Sequence, residues 1–218
     1  MKKGRKMKIT GAIFDMDGTL INSMDYWAIT ASEYLRSVGI EPPADTDRDY
    51  LENGMKSWHK NACPNIPFPE VSRGIYSIMD KYYMSYVSVK DGVIEMLERL
   101  KAHGVKMCLA TATDRAMVEK VIKKLGIESY FSGIFTSSEV GLGKRFPLIY
   151  EKAREFLGTD KETTYVFEDA SYAINTCRQN NIKVVGVYDR NSFVSEEELA
   201  SLCDYYLDKD SKYQFEVE

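Results

Sequence analysis

Asp15 and Asp17, Thr111, Lys144, and the adjacent pair Glu168 and Asp169 are the residues whose types and spacing invite chemistry. Each group stands just past a short apolar, β-branched run, so each is delivered by the end of a strand. Three or four carboxylates brought to one point repel one another unless a hard cation lies between them. Mg²⁺ suits such a place, because it prefers a few carboxylate oxygens together with water and a substrate phosphate. Lys144 and the Thr111 hydroxyl would then offer positive charge and a hydrogen bond to phosphoryl oxygens as charge redistributes in the transition state.

The elements that must position these groups are legible. Ile9 to Phe14, Val105 to Ala110, Gly133 to Thr136, Thr164 to Phe167 and Val184 to Val187 have strand character, and helical stretches separate them. Alternation of this kind predicts an α/β fold with a doubly wound parallel sheet. Ligands of such open sheets bind at the carboxyl ends of the strands. Asp91 is expected to cap a helix carrying Val93, Met96, Leu97 and Leu100, closed by Gly104 after His103. Met117, Val118, Val121, Ile122 and Leu125 form the stripe of the next helix, closed by Gly126.

Between the first strand and about Val89 no strand pattern occurs. Two helical stripes do: Ala28, Ala31, Leu35 and Val38, then Val71, Ile75, Ile78, Met79, Tyr82 and Tyr86. A small all-helical unit over residues 23–88, inserted after the first strand, accounts for this. Residues 1–22 and 89–218 then form the sheet-bearing part, with hinges near Asn22-Ser23 and Ser88 to Asp91.

In sequence order, Asp15-Met16-Asp17-Gly18-Thr19-Leu20, Ala110-Thr111, Gly143-Lys144 and Phe167-Glu168-Asp169 resemble the four motifs of the haloacid-dehalogenase superfamily. The likeness covers nearly the whole chain and is nearest to the branch of β-phosphoglucomutase and small sugar-phosphate phosphatases. It implies that Asp15 is a nucleophile forming an acyl phosphate and Asp17 the acid/base two residues on. Thr111, Ala112 and Lys144 would hold the phosphoryl group. Mg²⁺ would be ligated by Asp15, the Asp17 carbonyl and Asp169, with Glu168 beside or behind them. The helical insertion would be a cap that closes over the site and reads the leaving group. The spacing suits this chemistry: Asp17, on a turn that Gly18 permits, can reach the leaving oxygen rather than the metal.

The expected activity is therefore a Mg²⁺-dependent phosphatase acting on a small phosphorylated metabolite such as a sugar phosphate. A sugar-phosphate mutase is the alternative, disfavoured because Trp27 stands where the mutase carries a functional histidine. Lys56 and Ser57 likewise offer no arginine. A catalytically silent relative that binds a phospho-ligand or a protein partner is a further alternative, against which the intact Asp17 counts. Trp27 and Lys56 are candidates for specificity, although Trp27, Trp58 and Tyr26 equally suit the core of a small helical unit. His59 reads as a cap-packing or surface residue, and His103 as a group satisfying helix-terminal carbonyls. Lys144 precedes Arg145 where many relatives have proline, so the resemblance carries the lysine over but not the shape of the loop around it.

Other readings fit less well. An EF-hand loop places its glycine sixth and a glutamate twelfth, whereas Gly18 is fourth in its run. Glu168 and Asp169 alone could cap the helix bearing Ala173, Ile174 and Cys177. A formal charge of −4 excludes the broad basic surface of a nucleic-acid binder. Cys63, Cys108, Cys177 and Cys203 lack the spacing of a zinc site or disulfide framework. The basic start, Met1 to Lys8, is expected to be a solvated tail rather than a signal peptide, and no run could span a bilayer. A cytoplasmic protein follows, with a monomer favoured and neither nucleic acid nor membrane as partner.

Overall fold

The computed structural model describes residues 6–218. It divides into two compact units, one of Met1–Asn22 with Val89–Glu218 and one of Ser23–Ser88. The first unit begins with β1 (Gly11–Phe14). The second holds α1 (Met24–Ser37), α2 (Thr46–Asn53), α3 (Met55–Ala62) and α4 (Phe68–Ser85). The first unit then continues through α5 (Val93–Ala102), β2 (Lys106–Thr111), α6 (Arg115–Lys124), β3 (Ile134–Thr136) and α7 (Ser137–Val140). It closes with α8 (Leu148–Leu157), β4 (Thr164–Glu168), α9 (Ser171–Gln179), β5 (Lys183–Val187), α10 (Glu196–Leu202) and β6 (Tyr205–Leu207).

The six strands form one parallel sheet in the order β3-β2-β1-β4-β5-β6. This is the doubly wound α/β fold the alternating pattern predicts. Chain order reverses between β1 and β4, so their carboxyl ends are the switch point at which open α/β sheets bind ligands. Alternation along the strands divides the core. Ile13, Cys108, Ala110, Val166 and Val184 face Ile149, Tyr150 and Ala153 of α8, with Ile174 and Cys177 of α9 and Leu199 of α10. On the other face Phe14 stacks on Phe167 at 4.5 Å and meets Phe131 edge-on at 6.1 Å. Val93, Met96, Leu97 and Leu100 of α5 are buried, as their stripe requires.

Several local expectations change. The residue before α5 is Gly92, in a left-handed conformation with φ 87°, and no side chain caps the helix. Asp91 is therefore not the cap. An added Cβ at Gly92 would meet the carbonyl of Lys212, so that position admits only glycine. Ala170 rather than Glu168 or Asp169 is the N-cap of α9. β6 lacks a strand-like run of its own and forms by adding Tyr205–Leu207 to the edge of β5. Residues 1–5 of the basic start lie outside the described residues. Lys6 and Lys8 are exposed, but Met7 is buried and its backbone bridges Val217, so the end of that segment is not a solvated tail.

The helical unit has four helices where two stripes were legible. α2 and α3 are eight residues each, too short to show a stripe. Trp27 donates to Tyr83 Oη at 3.1 Å and stacks on Tyr50 at 6.1 Å, while Trp58 meets Tyr50 at 5.4 Å and Tyr34 at 6.4 Å. Trp27 and Trp58 are thus interior to this unit. Tyr26 stacks on Tyr82 at 4.6 Å. His59 pairs its Nε2 with the Ile66 carbonyl at 2.7 Å, a packing role within the unit. No helix among the described residues is long and apolar enough to cross a membrane.

Candidate active site

Register brings the first carboxylates together. Phe14 pairs with Phe167, so the next residues, Asp15 and Glu168, leave adjacent strands side by side on the face covered by α8 and α9. The Asp15 amide donates to the Phe167 carbonyl at 3.0 Å and continues the ladder by one bond. Lys144, from the loop between α7 and α8, reaches between the two carboxylates. Its Nζ donates to Asp15 Oδ1 and, at 2.7 Å, to Glu168 Oε1. All three side chains are buried. Breaking a buried pair of this kind costs about 3–5 kcal/mol, because the partner's charge stays behind unpaired.

Glu168 accepts from every side. Oε1 also receives the Tyr150 hydroxyl at 3.2 Å, and Oε2 receives the amides of Asp169 at 3.0 Å and Ala170 at 3.3 Å. Its oxygens are therefore occupied in orienting Lys144 and the turn after β4. Asp169 Oδ1 accepts the Thr19 hydroxyl at 2.8 Å.

Asp15, Glu168 and Asp169 bring carboxylate oxygens within 4.8 Å of one another. When all three are ionised, Lys144 offsets only one of their charges and two remain uncompensated. An all-oxygen donor set of that charge fits a hard divalent cation. The same crowding acts on protons. Burial pushes the Asp15 carboxyl up to about 8, the Lys144 ammonium opposing and Glu168 and Asp17 adding to the rise. Burial, then Glu168, Asp15 and Asp189, hold Asp169 well above the carboxylate range. Burial alone would lower the Lys144 ammonium, but Asp15 and Glu168 outweigh it and hold the proton on.

Asp17 lies on a tight loop that its neighbours close. Gly18 has φ 79°, its amide donates to the Ile21 carbonyl at 3.0 Å, and Leu20 N donates to Met16 O at 2.9 Å. A positive φ at this point is what glycine supplies without strain. The Asp17 Oδ2 accepts the Thr113 hydroxyl at 2.8 Å. Thr111 ends β2, and its hydroxyl accepts the Thr113 amide at 3.1 Å; Ala112 between them is exposed. The strand ends thus gather Asp15, Asp17, Lys144, Glu168 and Asp169 in one charged cluster, with Thr111 beside it through Thr113. Trp27 and Lys56 belong to the helical unit, where Lys56 is exposed with its Nζ 5.9 Å from the Phe68 ring centroid.

The sequence alone did not mark Thr19, Thr113 or Tyr172. Tyr172 lies in the field of Lys144, Glu168, Asp15 and Asp169, burial raising its phenol first, and the Arg145 guanidinium sits 4.7 Å over its ring. The Thr111-Ala112-Thr113 run offered a signal for Thr113, two hydroxyls flanking one residue at a strand end. His103 Nδ1 pairs with the Arg99 carbonyl at 2.8 Å at the end of α5, a terminal role away from this cluster.

Residues 12–187 match the family described as Haloacid dehalogenase-like hydrolase. Phosphoglycolate phosphatase of Neisseria gonorrhoeae is 27% identical over 189 residues, covering 82% of this chain and 80% of that protein. Phosphorylated carbohydrates phosphatase of Thermotoga maritima is 24% identical, covering 80% and 83%. Among solved structures, CbbY from Rhodobacter sphaeroides in complex with phosphate superposes with a TM-score of 0.80 at 18% identity, covering 93% of this chain and 95% of that one. Beta-phosphoglucomutase from Clostridium difficile gives a TM-score of 0.78 at 20% identity, covering 95% and 94%.

Proposed function

The chain belongs to the haloacid dehalogenase-like hydrolases, and from that premise we propose that it is a Mg²⁺-dependent phosphatase of a small phosphorylated metabolite working through a phospho-aspartate on Asp15. The observation that carries this reading is the shared ammonium of Lys144 between Asp15 and Glu168, with Asp17 two residues on and held separately by Thr113. One carboxylate is thereby paired with a fixed cation while the other is aimed by a hydroxyl. A nucleophile and a proton carrier need that division of labour.

In this mechanism an Asp15 oxygen attacks phosphorus, and the bond from phosphorus to the leaving oxygen breaks. Asp17, protonated, gives its proton to that oxygen. Lys144 and Thr111, with the Ala112 amide, hold the non-bridging oxygens as charge develops on them. Asp17 then takes a proton from water, which attacks the acyl phosphate and releases inorganic phosphate and Asp15. Asp15, Asp169 and the Asp17 carbonyl, with Glu168 behind them, would hold Mg²⁺, which when bound would supply the charge neutralisation that lets a carboxylate approach an anionic ester. We assign the reading of the leaving group to the helical unit, with Trp27 and Lys56 as its candidate specificity residues.

The relatives named for phosphoglycolate and for phosphorylated carbohydrates support a small phosphate ester as substrate. The test is turnover of a panel of such esters and of an aryl phosphate with Mg²⁺, together with acid quench and peptide mass spectrometry. Phosphate on Asp15 in the wild type, absent from Asp15→Asn, is the expected result. Phosphate on another residue means a different nucleophile, and none at any time even in Asp17→Asn means direct attack by water; either result overturns the mechanism.

A further inference from the structure

Lys90 lies at the point where the chain re-enters the sheet-bearing unit, and its bonds converge on the loop that carries Asp17. Val89 bridges Ile21, and the Lys90 amide donates to the Leu20 carbonyl at 2.9 Å. The side chain then turns to the same loop. Its Nζ donates to the Gly18 carbonyl, to the Tyr188 carbonyl at 2.8 Å and to Asp189 Oδ2 at 3.0 Å. An ammonium has three N–H donors, and here each has an acceptor. Asp189 is itself fixed, since its Oδ1 accepts the Asn191 amide at 2.9 Å. The pair is largely out of water, with side chains 18% and 7% exposed.

The acceptor that matters is the Gly18 carbonyl. Gly18 is the softest backbone position of the loop, adopting φ 79° with no side chain to limit ψ. An anchor on its carbonyl restricts ψ of Gly18, one residue past Asp17, and so adds to the hydrogen bond by which Thr113 holds the Asp17 carboxylate. We propose that Lys90 is a positioning residue for Asp17: through the Gly18 carbonyl it holds the acid/base in the orientation that meets the leaving oxygen, while Asp189 holds Lys90. This rests on the acid/base reading of Asp17 given above.

The experiment compares single-turnover phosphorylation by an alkyl phosphate, whose leaving oxygen needs a proton, with that by an aryl phosphate, whose leaving oxygen does not. Two variants separate positioning from stability. Lys90→Met leaves Asp189 buried and unpaired, so its melting temperature falls. Lys90→Met with Asp189→Asn removes both charges and recovers much of that temperature, yet still leaves the Gly18 carbonyl without its donor. Both variants are expected to lose about tenfold or more in the alkyl rate and less than about threefold in the aryl rate, with little change in KM. In an Asp17→Asn background neither adds a further change in the alkyl-to-aryl ratio. Recovery of that ratio together with melting temperature in the double variant reduces Lys90 to a structural role and overturns the proposal. So does an equal loss in the Asp17→Asn background. If Asp17→Asn alone keeps the wild-type ratio, the acid/base reading and this one fall together; if it is impaired while the Lys90 variants are normal, this one falls alone.

Discussion

Replacing Thr113 by valine keeps the shape of a buried side chain and the backbone amide that donates to Thr111, but removes the hydroxyl that Asp17 Oδ2 accepts at 2.8 Å. A hydrogen bond to a charged group contributes about 1.5–3 kcal/mol. Each 1.4 kcal/mol is about tenfold in rate, so an upper bound for the loss is about 10²-fold if the whole contact serves to aim Asp17. Asp17 is half-buried, so water replaces part of the contact and a fall of about tenfold in kcat is expected. The loss should be larger for an alkyl than for an aryl phosphate, because the first depends more on proton donation. Thr113→Ser, which keeps the hydroxyl, should stay within about threefold of wild type. Steady-state kinetics on both esters, with melting temperatures as a control on folding, check this. A valine variant with wild-type kcat on the alkyl ester, or a serine variant as impaired as the valine, refutes the reasoning that the hydroxyl orients Asp17.

The carboxyls of Asp15, raised to about 8, and Asp169 bind protons in the folded metal-free protein that the unfolded chain releases near its ordinary value of 3.8. Stability of that protein should therefore fall as pH rises through this window, by at most about 1.4 kcal/mol per pH unit for each group. Mg²⁺ should raise the melting temperature more at pH 8 than at pH 5.5; equal shifts, or full activity in excess EDTA, would contradict a cation at this cluster. Lys144→Met should abolish phosphoenzyme formation, read by acid quench, because it removes the ammonium that Asp15 and Glu168 share, and should lower the melting temperature by leaving that buried pair without its cation. Gly92→Ala should cost about 3 kcal/mol or more, since its φ is 87° and its Cβ would strike the Lys212 carbonyl. Gly104→Ala, with φ 71° and open space around it, should cost about 1–2 kcal/mol; denaturant midpoints compare them. Trp27→Ala should lower stability by about 3–5 kcal/mol, as an interior indole of the helical unit, whereas Lys56→Ala should alter substrate ranking at unchanged stability.

The sequence by itself determined the parallel sheet, the helices on its two faces and the strand-end positions of Asp15, Thr111, Glu168 and Asp169. These follow from short-range patterns: an apolar β-branched run fills a central strand wherever it falls, a 3.6-residue stripe must find a core, and a polar turn can only begin where the run stops. The same reasoning marked Lys144 as a residue near the strand ends but not its partners. Tertiary structure decided those. Strand register put Asp15 beside Glu168, so that one ammonium serves both. It also joined Thr19 to Asp169 across 150 positions, Thr113 to Asp17 across 96, Lys90 to Gly18 across 72 and Tyr213 Oη to the Thr19 carbonyl across 194. Contacts of that span leave no periodicity to detect, because each depends on two distant segments meeting in one register. α2 and α3 escaped notice for the opposite reason: eight residues hold too few turns for a stripe, and packing within the helical unit is what makes them helices.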